Sequence, residues 1–550
     1  MNREFFRKSM VFVIIVLFVG MSTVPSTGIN VNTGVPEEDR EICSVAISLP
    51  PPDFTGRNLE LSICRRMSVR AFDGSDVSDQ ELSNIFWAAY GHTSDGRRTI
   101  HSVNERYSTI IYVIRRDGTY KYIPESHTLS LFRSGDYSFI GQYDTAPIKI
   151  GLVWDNGVSD DENIAMAEIG MIGQNIYFEA NALNLGTVTT VTEVDQLYLL
   201  RLPIYEKPMV IMPLGHPLDP YDFTYDSLPP SNLPPVVNNS VSLEDAINSR
   251  HETSIWNDEP LTTIEQSQII WASYGYSYLI DDLNDKRHRT VPSSHGTYPL
   301  HVFAANHSGV YQYVPSSHSI VEIAQGDRRK DISEAVESDD VMIPSASWIL
   351  ISFLDTDIGN PNYPTAWYYE AGAIAHNVFL ESTALNLSAN VINNIVDDDA
   401  LRSALDLSSQ TNLVPLLIMP TGRTTPSNPP DTPDLSGPTS GKAGIEYTYT
   451  VVSTDPDGDQ ISYLFDWGDS STSRWTEFVD SGIEVTASHS WNTGEYMIKV
   501  KARDIHSTES DWETLSVSMP RNKPYINTPF LNFLQNHPIL FQLLHHFLKL

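Results

Sequence analysis

Arg66, Ser68 and Arg70 are the residues whose types and spacing most clearly point to chemistry. Two guanidinium forks and a hydroxyl at alternate positions of an extended chain make an anion site suited to phosphate or carboxylate. Taken alone, such a run is ordinarily surface charge, so its meaning depends on what surrounds it. Other chemistries lack their signatures. The 16 histidines show no metal-ligand spacing such as His-Glu-x-x-His. There is no Gly-x-Gly-x-x-Gly and no phosphate-binding P-loop, so a Rossmann nicotinamide domain is unsupported. The absence of Gly-x-Ser-x-Gly weakens a hydrolase reading. Cys43 and Cys64 are the only cysteines, too few for a four-cysteine metal site. One disulfide between them is possible, and two idle thiols are the plainer reading. No metal site is expected.

The elements that must position the anion site come from an internal repeat. Asp79-Gln-Glu-Leu-Ser-Asn-Ile-Phe-Trp-Ala-Ala-Tyr-Gly91 matches Thr263-Ile-Glu-Gln-Ser-Gln-Ile-Ile-Trp-Ala-Ser-Tyr-Gly275. Further matches follow in the same order, at Gly118–Pro124 with Gly309–Pro315, Glu168–Asn175 with Glu370–Asn377, and Pro208–Gly215 with Pro415–Gly422. The offset grows from 184 through 191 and 202 to 207, as insertions in surface loops would make it. Each unit reads as mixed α and β. Capping boxes at Ser78/Glu81 and Thr262/Glu265 open the first long helix of each. Ile110–Ile114 is a strand, with a turn at Asp117-Gly118 and a second strand through Tyr120 and Tyr122. Met166–Leu183 and Tyr368–Leu385 are long helices rich in small residues, which permit close helix approach. Met209–Met212 and Leu416–Met419 are buried strands.

The 550 residues predict about three or four domains. Residues 1–28 read as an export signal: Arg3, Arg7 and Lys8 precede an apolar run from Met10 to Met21, too short for a bilayer span. An uncleaved anchor is the alternative. The localisation expected is therefore outside the cytoplasmic membrane, secreted or anchored. The two repeat units occupy 55–220 and 241–423, with a proline-rich linker at 221–240 and a second linker at 424–441. Residues 442–520 alternate in short β runs. The 521–550 tail holds a short amphipathic stretch that decides nothing. The balance of 35 basic against 69 acidic residues, a net −34, excludes a nucleic-acid partner.

Arg65-Arg66-Met67-Ser68-Val69-Arg70-Ala71-Phe72, followed by the helix ending Trp87-Ala-Ala-Tyr-Gly91, resembles the nitroreductase superfamily, with its SagB-type dehydrogenases the nearest match. The resemblance implies an α+β fold and an FMN cofactor whose phosphate is held by Arg66, Ser68 and Arg70. It also implies a Pro-Ser loop that lines the flavin from a partner subunit, matched by Pro292-Ser293-Ser294-His295-Gly296. The same place in the first unit reads His101-Ser102-Val103-Asn104, without proline or glycine. In the second unit, Glu252 and Ser254 stand at the positions of Ser68 and Arg70. A glutamate facing a phosphate is repulsive. The two tandem units are thus expected to form an internal pseudo-dimer with one composite flavin site and one degraded site. A further basic contact falls on His216 or Arg423, with His216 favoured because it shares a unit with the phosphate grip.

Catalytic residues are not assignable from sequence. Tyr298 and His295 are candidates to approach the flavin ring, each equally readable as packing or surface. His376, standing where the first unit has Gln174, reads as a hydrogen-bonded core residue. Asp455-Pro456-Asp457-Gly458-Asp459, Phe465-Asp466-Trp467-Gly468-Asp469 and His489-Ser490-Trp491 resemble a PKD-type immunoglobulin-like domain, implying a β-sandwich used for spacing or cell-surface contact. The acidic turn reads as solvated, calcium being its alternative use. The expected function is an exported FMN-dependent oxidoreductase acting on a small-molecule or peptide substrate, as a monomer. The alternative is a non-catalytic envelope protein built on degenerate units.

Overall fold

The computed structural model describes residues 46–519 except 95, 103–105, 220–231, 251–252, 254, 282–285, 337–341, 425–427, 470, 474 and 506–507, together with Asn536. The expected export signal, Cys43, most of the first linker, Glu252, Ser254 and the rest of the tail lie outside the described residues.

In the first unit the strands are β1 (Ala46–Ser48), β2 (Thr109–Arg115), β3 (Gly118–Ile123), β4 (Thr128–Ser134), β5 (Ile148–Asp155), β6 (Gly186–Thr187) and β7 (Glu206–Gly215). They form one antiparallel sheet in the order β1-β4-β3-β2-β5-β7-β6. The β-branched run of β2 is inside, flanked by β3 and β5. Its hairpin to β3 turns on Arg116-Asp117, one residue earlier than expected, because Arg115 pairs with Gly118. Three helices accompany the sheet: α1 (Leu59–Arg65), α2 (Asp79–Tyr90) and α3 (Glu162–Ala182).

The second unit repeats this plan. Helices α4 (Leu243–Ser249), α5 (Thr263–Tyr274) and α6 (Pro364–Ala384) correspond to α1, α2 and α3. After a hairpin of β8 (Tyr276–Asp281) and β9 (Lys286–Arg289), its sheet uses β10 (Leu300–Ala305), β11 (Gly309–Val314), β12 (Ser319–Gln325), β13 (Trp348–Asp355), β14 (Ser388–Ala389) and β15 (Leu413–Gly422). The order is β12-β11-β10-β13-β15-β14. Both capping boxes form, Ser78 with Glu81 and Thr262 with Glu265.

Helices α3 and α6 each run 21 residues and begin four residues before the apolar pattern does. Asp161 caps the first by accepting from the Asn163 and Ile164 N–H groups, and Pro364 opens the second. A first turn is selected by capping and by proline, not by apolar period. Both helices are buried on nearly all faces, as helices at the centre of a molecule are. They meet at glycines: a Cβ on Gly170 would stand 2.2 Å from the Tyr369 carbonyl oxygen, and one on Gly372 2.0 Å from that of Ala167. One apolar core holds side chains from both units, including Ile172, Ile176, Ile374 and Val378.

The C-terminal region has two three-stranded antiparallel sheets. One joins β16 (Asp434–Ser436), β17 (Glu446–Val452) and β19 (Val485–Ser490); the other joins β18 (Ile461–Asp466), β20 (Gly494–Asp504) and β21 (Glu513–Met519). They share a core of Tyr449, Phe465, Trp467, Trp491, Ile498 and Val517. The Trp467 ring stacks on His489 at 4.8 Å, and Trp491 Nε1 donates to the Trp467 carbonyl.

Candidate functional site

After α1 the chain is extended, and its backbone is tied to the end of the sheet. Val69 N–H donates to Thr187 O at 2.8 Å, and Asp73 N–H to His216 O at 3.0 Å. Val69 is buried. Extended backbone alternates its side chains, so Ser68 and Arg70 emerge on the face opposite Val69. Ser68 Oγ lies 3.2 Å from Tyr177 Oη. Among the described residues, the Arg70 guanidinium makes a single 3.4 Å bond, to the Ser68 carbonyl, and no ion pair.

Arg66 does something different. It is buried, lies over the Tyr177 ring, and donates from Nε and Nη2 to the carbonyl of Arg289 in the other unit. Its Nη1 is buried with no partner. Arg250, its counterpart, reaches the carbonyls of Arg98 and Ile100 in the first unit. The first arginine of each segment is therefore a strut between the units. That explains why the second unit keeps it while replacing its neighbours.

The Pro-Ser loop is held over a buried carboxylate. Ser293 Oγ accepts from the Tyr298 N–H at 2.9 Å, and His295, Gly296 and Tyr298 take positive φ. Glu370 of α6 accepts from Tyr274 Oη at 2.5 Å. Burial pushes the Glu370 carboxyl up to about 7, against hydrogen bonds from Ser293 and Tyr274 and the charges of Arg289 and Arg66.

These segments enclose a cavity of about 230 Å³. The first unit contributes Ser68, Arg70, Tyr177 and Thr189; the second contributes Pro292, Ser293, Ser294, His295 and Tyr369. A chain of hydroxyls links the sides. Tyr177 Oη accepts from Thr189 N–H at 2.8 Å, and Thr189 Oγ1 lies 2.7 Å from Tyr369 Oη. Burial raises the Tyr369 phenol far above its ordinary range, so it stays neutral.

Five of the seven expected cofactor residues thus line one cavity. Arg66 stands behind it. His216 is not among its lining residues, and its Nε2 lies 3.8 Å from Glu81 Oε1. Arg423 likewise pairs with Glu265, at 2.5 Å. In both units this residue turns to the capping glutamate of that unit's helix. His376 is fully buried, with Nε2 2.7 Å from Asn175 Oδ1, and burial drives its pKa down to about 3. Tyr298 is half-buried, with the Arg289 guanidinium 5.1 Å from its ring. Cys64 is a buried free thiol, pushed up to about 12 by burial.

Tyr177, Thr189, Tyr369 and Glu370 escaped the sequence reading as site residues. The signal for Tyr369 was present in the repeat: Ala167 occupies its place 202 residues earlier. The two-unit geometry has a mirror cavity; its described part, lined by His101, Ser102, Ala167, Glu168 and Val391 among others, encloses about 10 Å³.

The sequence model of the Nitroreductase family matches residues 63–216 and, again, 247–423, together more than half of the chain. The chain belongs to the nitroreductase family. Its nitroreductase units are similar to a Methanocaldococcus jannaschii protein named as a nitroreductase, 32% identical over 192 residues, covering 30% of this chain and 96% of that one. A nitroreductase structure from Anabaena variabilis shares the fold: 15% identity, TM-score 0.53, covering 72% of this chain and 94% of that one. The PKD domain of an M14-like peptidase from a Thermoplasmatales archaeon is 46% identical over 18% of this chain and all of that one, with a TM-score of 0.17.

Proposed function

We propose that this nitroreductase is an exported FMN-dependent oxidoreductase of SagB-type kind, with one composite flavin site between its two units. The observation that carries this reading is the cavity in which Ser68 and Arg70 of the first unit meet Pro292, Ser293 and Ser294 of the second. The residues fit FMN. Arg70 is a cation with no carboxylate partner among the described residues, in a chain with 69 acidic residues against 35 basic. Arg66 Nη1 is a buried donor without an acceptor. Buried donors are rarely left unpaired unless a ligand or water completes them.

FMN, when bound, supplies two-electron redox chemistry. Arg70 and Ser68 would hold its phosphate, Arg70 through charge-assisted bonds. Tyr177 fixes Ser68. Glu370 fixes the Ser293 end of the loop, and the neutral Tyr369 and Thr189 hydroxyls offer hydrogen bonds without adding charge. The described part of the mirror cavity encloses about 10 Å³, which favours one flavin over two.

Export is inferred from the basic and apolar N-terminus. Among the described residues, no helix is long and apolar enough to cross a membrane. The C-terminal sheets are read as a PKD-type immunoglobulin-like spacer or cell-surface contact, from their Asp-Gly turns and paired tryptophans. The internal pair already fills the interface a dimer would use, so the chain is read as a monomer acting on a small-molecule or peptide substrate.

The test is the visible spectrum of full-length folded protein after FMN loading and removal of excess. One flavin per chain is expected. Arg70→Ala should weaken retention about 10- to 100-fold, the loss of bonds worth about 1.5–3 kcal/mol. Two flavins per chain would sink the single-site reading. None retained by folded protein would sink the flavoprotein reading.

A further inference from the structure

Four glutamates are buried where the two units meet, and none of them lines the composite cavity. Glu60 on α1 and Glu244 on α4 stand at matching places of the repeat, as do Glu179 on α3 and Glu381 on α6. None is more than 1% exposed. The starts of α1 and α4 are tied across the units by backbone bonds, Leu59 N–H to Val241 O at 3.1 Å and Leu243 N–H to Arg57 O at 2.8 Å. Apolar side chains of all four helices close the region, Ile63, Phe178, Ile247 and Leu380 among them. The glutamates act on one another crosswise, Glu179 of the first unit with Glu244 of the second, and Glu60 with Glu381.

Their hydrogen bonds leave at least one oxygen over on each. Glu244 Oε1 accepts from Thr55 N–H and Oγ1, both at 2.7 Å, and Glu179 Oε1 from Asn84 Nδ2 at 3.2 Å. Glu381 Oε1 accepts from Gln268 Nε2 at 3.1 Å. The second oxygen of each of these three, and both oxygens of Glu60, are buried without a hydrogen-bond partner among the described residues. Two ionised carboxylates in such a place repel each other and lose their hydration. A proton on one of them turns the repulsion into an O–H···O⁻ bond, which is short and strong, and it occupies oxygens that no other donor meets. The charged surroundings of the two pairs differ. Arg57 stands by Glu179 and Glu244, with Arg65 beyond it. Beside Glu60 and Glu381 the other polar groups are the neutral amides of Asn58, Asn239 and Gln268.

We propose that each crosswise pair shares a proton, and that the two protons lock the first unit to the second at this face, a lock that opens in alkaline medium. Such a pair titrates as a unit, not as two separate residues. Burial moves the Glu179 and Glu381 carboxyls up to about 8 and raises Glu60 as well. A group raised in the folded state binds its proton more tightly there than in the unfolded chain. The lock is therefore complete at acid pH and is lost as pH rises towards 8. Arg57 favours the ionised form, so the Glu179/Glu244 pair opens first. None of this depends on flavin.

The test uses full-length protein without added flavin. Infrared spectra taken from about pH 5 to about pH 10 should show protonated-carboxyl absorption that disappears around pH 8. Amide exchange in α1 and α4, corrected for its intrinsic rate, should rise at least about 10-fold over that range. Glu60→Gln leaves Glu381 in place but ends the sharing, because the new amide donates to that carboxylate and does not titrate. It should remove part of the absorption, and adding Glu244→Gln should flatten the exchange. Absorption unchanged by both substitutions would show solitary buried carboxyls and overturn the shared proton. Should the variants fail to fold, the parent protein decides alone. Absence of protonated-carboxyl absorption at about pH 6, or corrected exchange that stays level to about pH 10, would overturn the lock.

Discussion

The composite cavity encloses about 230 Å³ and the described part of its mirror image about 10 Å³, yet their framework is shared. Each has a buried glutamate on the central helix, and Glu168 takes bonds from Ser102, Thr109 and Tyr90 much as Glu370 takes them from Ser293 and Tyr274. Each has an arginine strut across the units. What differs is the lining. Tyr177 and Tyr369 on the open side become Phe379 and Ala167 on the closed side, so the hydroxyl chain has no counterpart. Pro292 becomes His101, whose ring lies 5.3 Å from that of Phe379 and fills the space. A duplicated scaffold keeps the groups that hold it together and is free to lose the groups that face a ligand.

The comparison can be broken first at the ligand. Arg70→Ala should weaken flavin retention on the open side about 10- to 100-fold, while His101→Ala on the closed side should leave the flavin count at one. A second flavin appearing in the His101 variant would show that one ring alone shuts the mirror site. The next largest effect lies at the helix crossing. Gly372→Val puts a side chain where the Ala167 carbonyl already stands and should cost about 1–3 kcal/mol or more in denaturant unfolding. Gly173→Ala instead meets the Tyr369 hydroxyl, so it should disturb the open cavity and flavin retention more than stability.

A third contrast is electrostatic. Glu179 and Glu381 occupy matching places on α3 and α6, and burial pushes both up to about 8, with Glu244 and Glu60 adding repulsion. A carboxyl raised in the folded state is protonated there and ionised in the unfolded chain at intermediate pH. Its contribution is therefore complete below about 4.5 and is lost as pH rises towards 8. Glu381→Gln removes that loss, so its stability relative to the parent should rise between pH 5 and pH 8.5. For Glu179→Gln the rise should be smaller, because Arg57 stands by the Glu179 pair and Val241 takes its place beside the other. Equal slopes would show that the arginine is too solvated to matter. The smallest effects should be symmetric: Ser78→Ala and Thr262→Ala each remove a helix cap and should each cost about 1 kcal/mol.

Much of this protein was determined by sequence alone. The repeat, both capping boxes, the first long helix, the β2–β3 hairpin, the central helix and the last strand, and the complementary losses at 250–254 and 101–104 are local patterns carried by residue type and spacing. The first turns of α3 and α6 were missed because a capping aspartate and a proline carry no apolar period. The tertiary structure decided what spacing cannot encode: which side of an extended segment faces a cavity, and what lies opposite. It turned Arg66 into a strut and His216 towards Glu81, and it brought Tyr369 across 180 residues of chain to Thr189. Those outcomes follow from two helices crossing at Gly170 and Gly372, a contact between distant residues with no local signature.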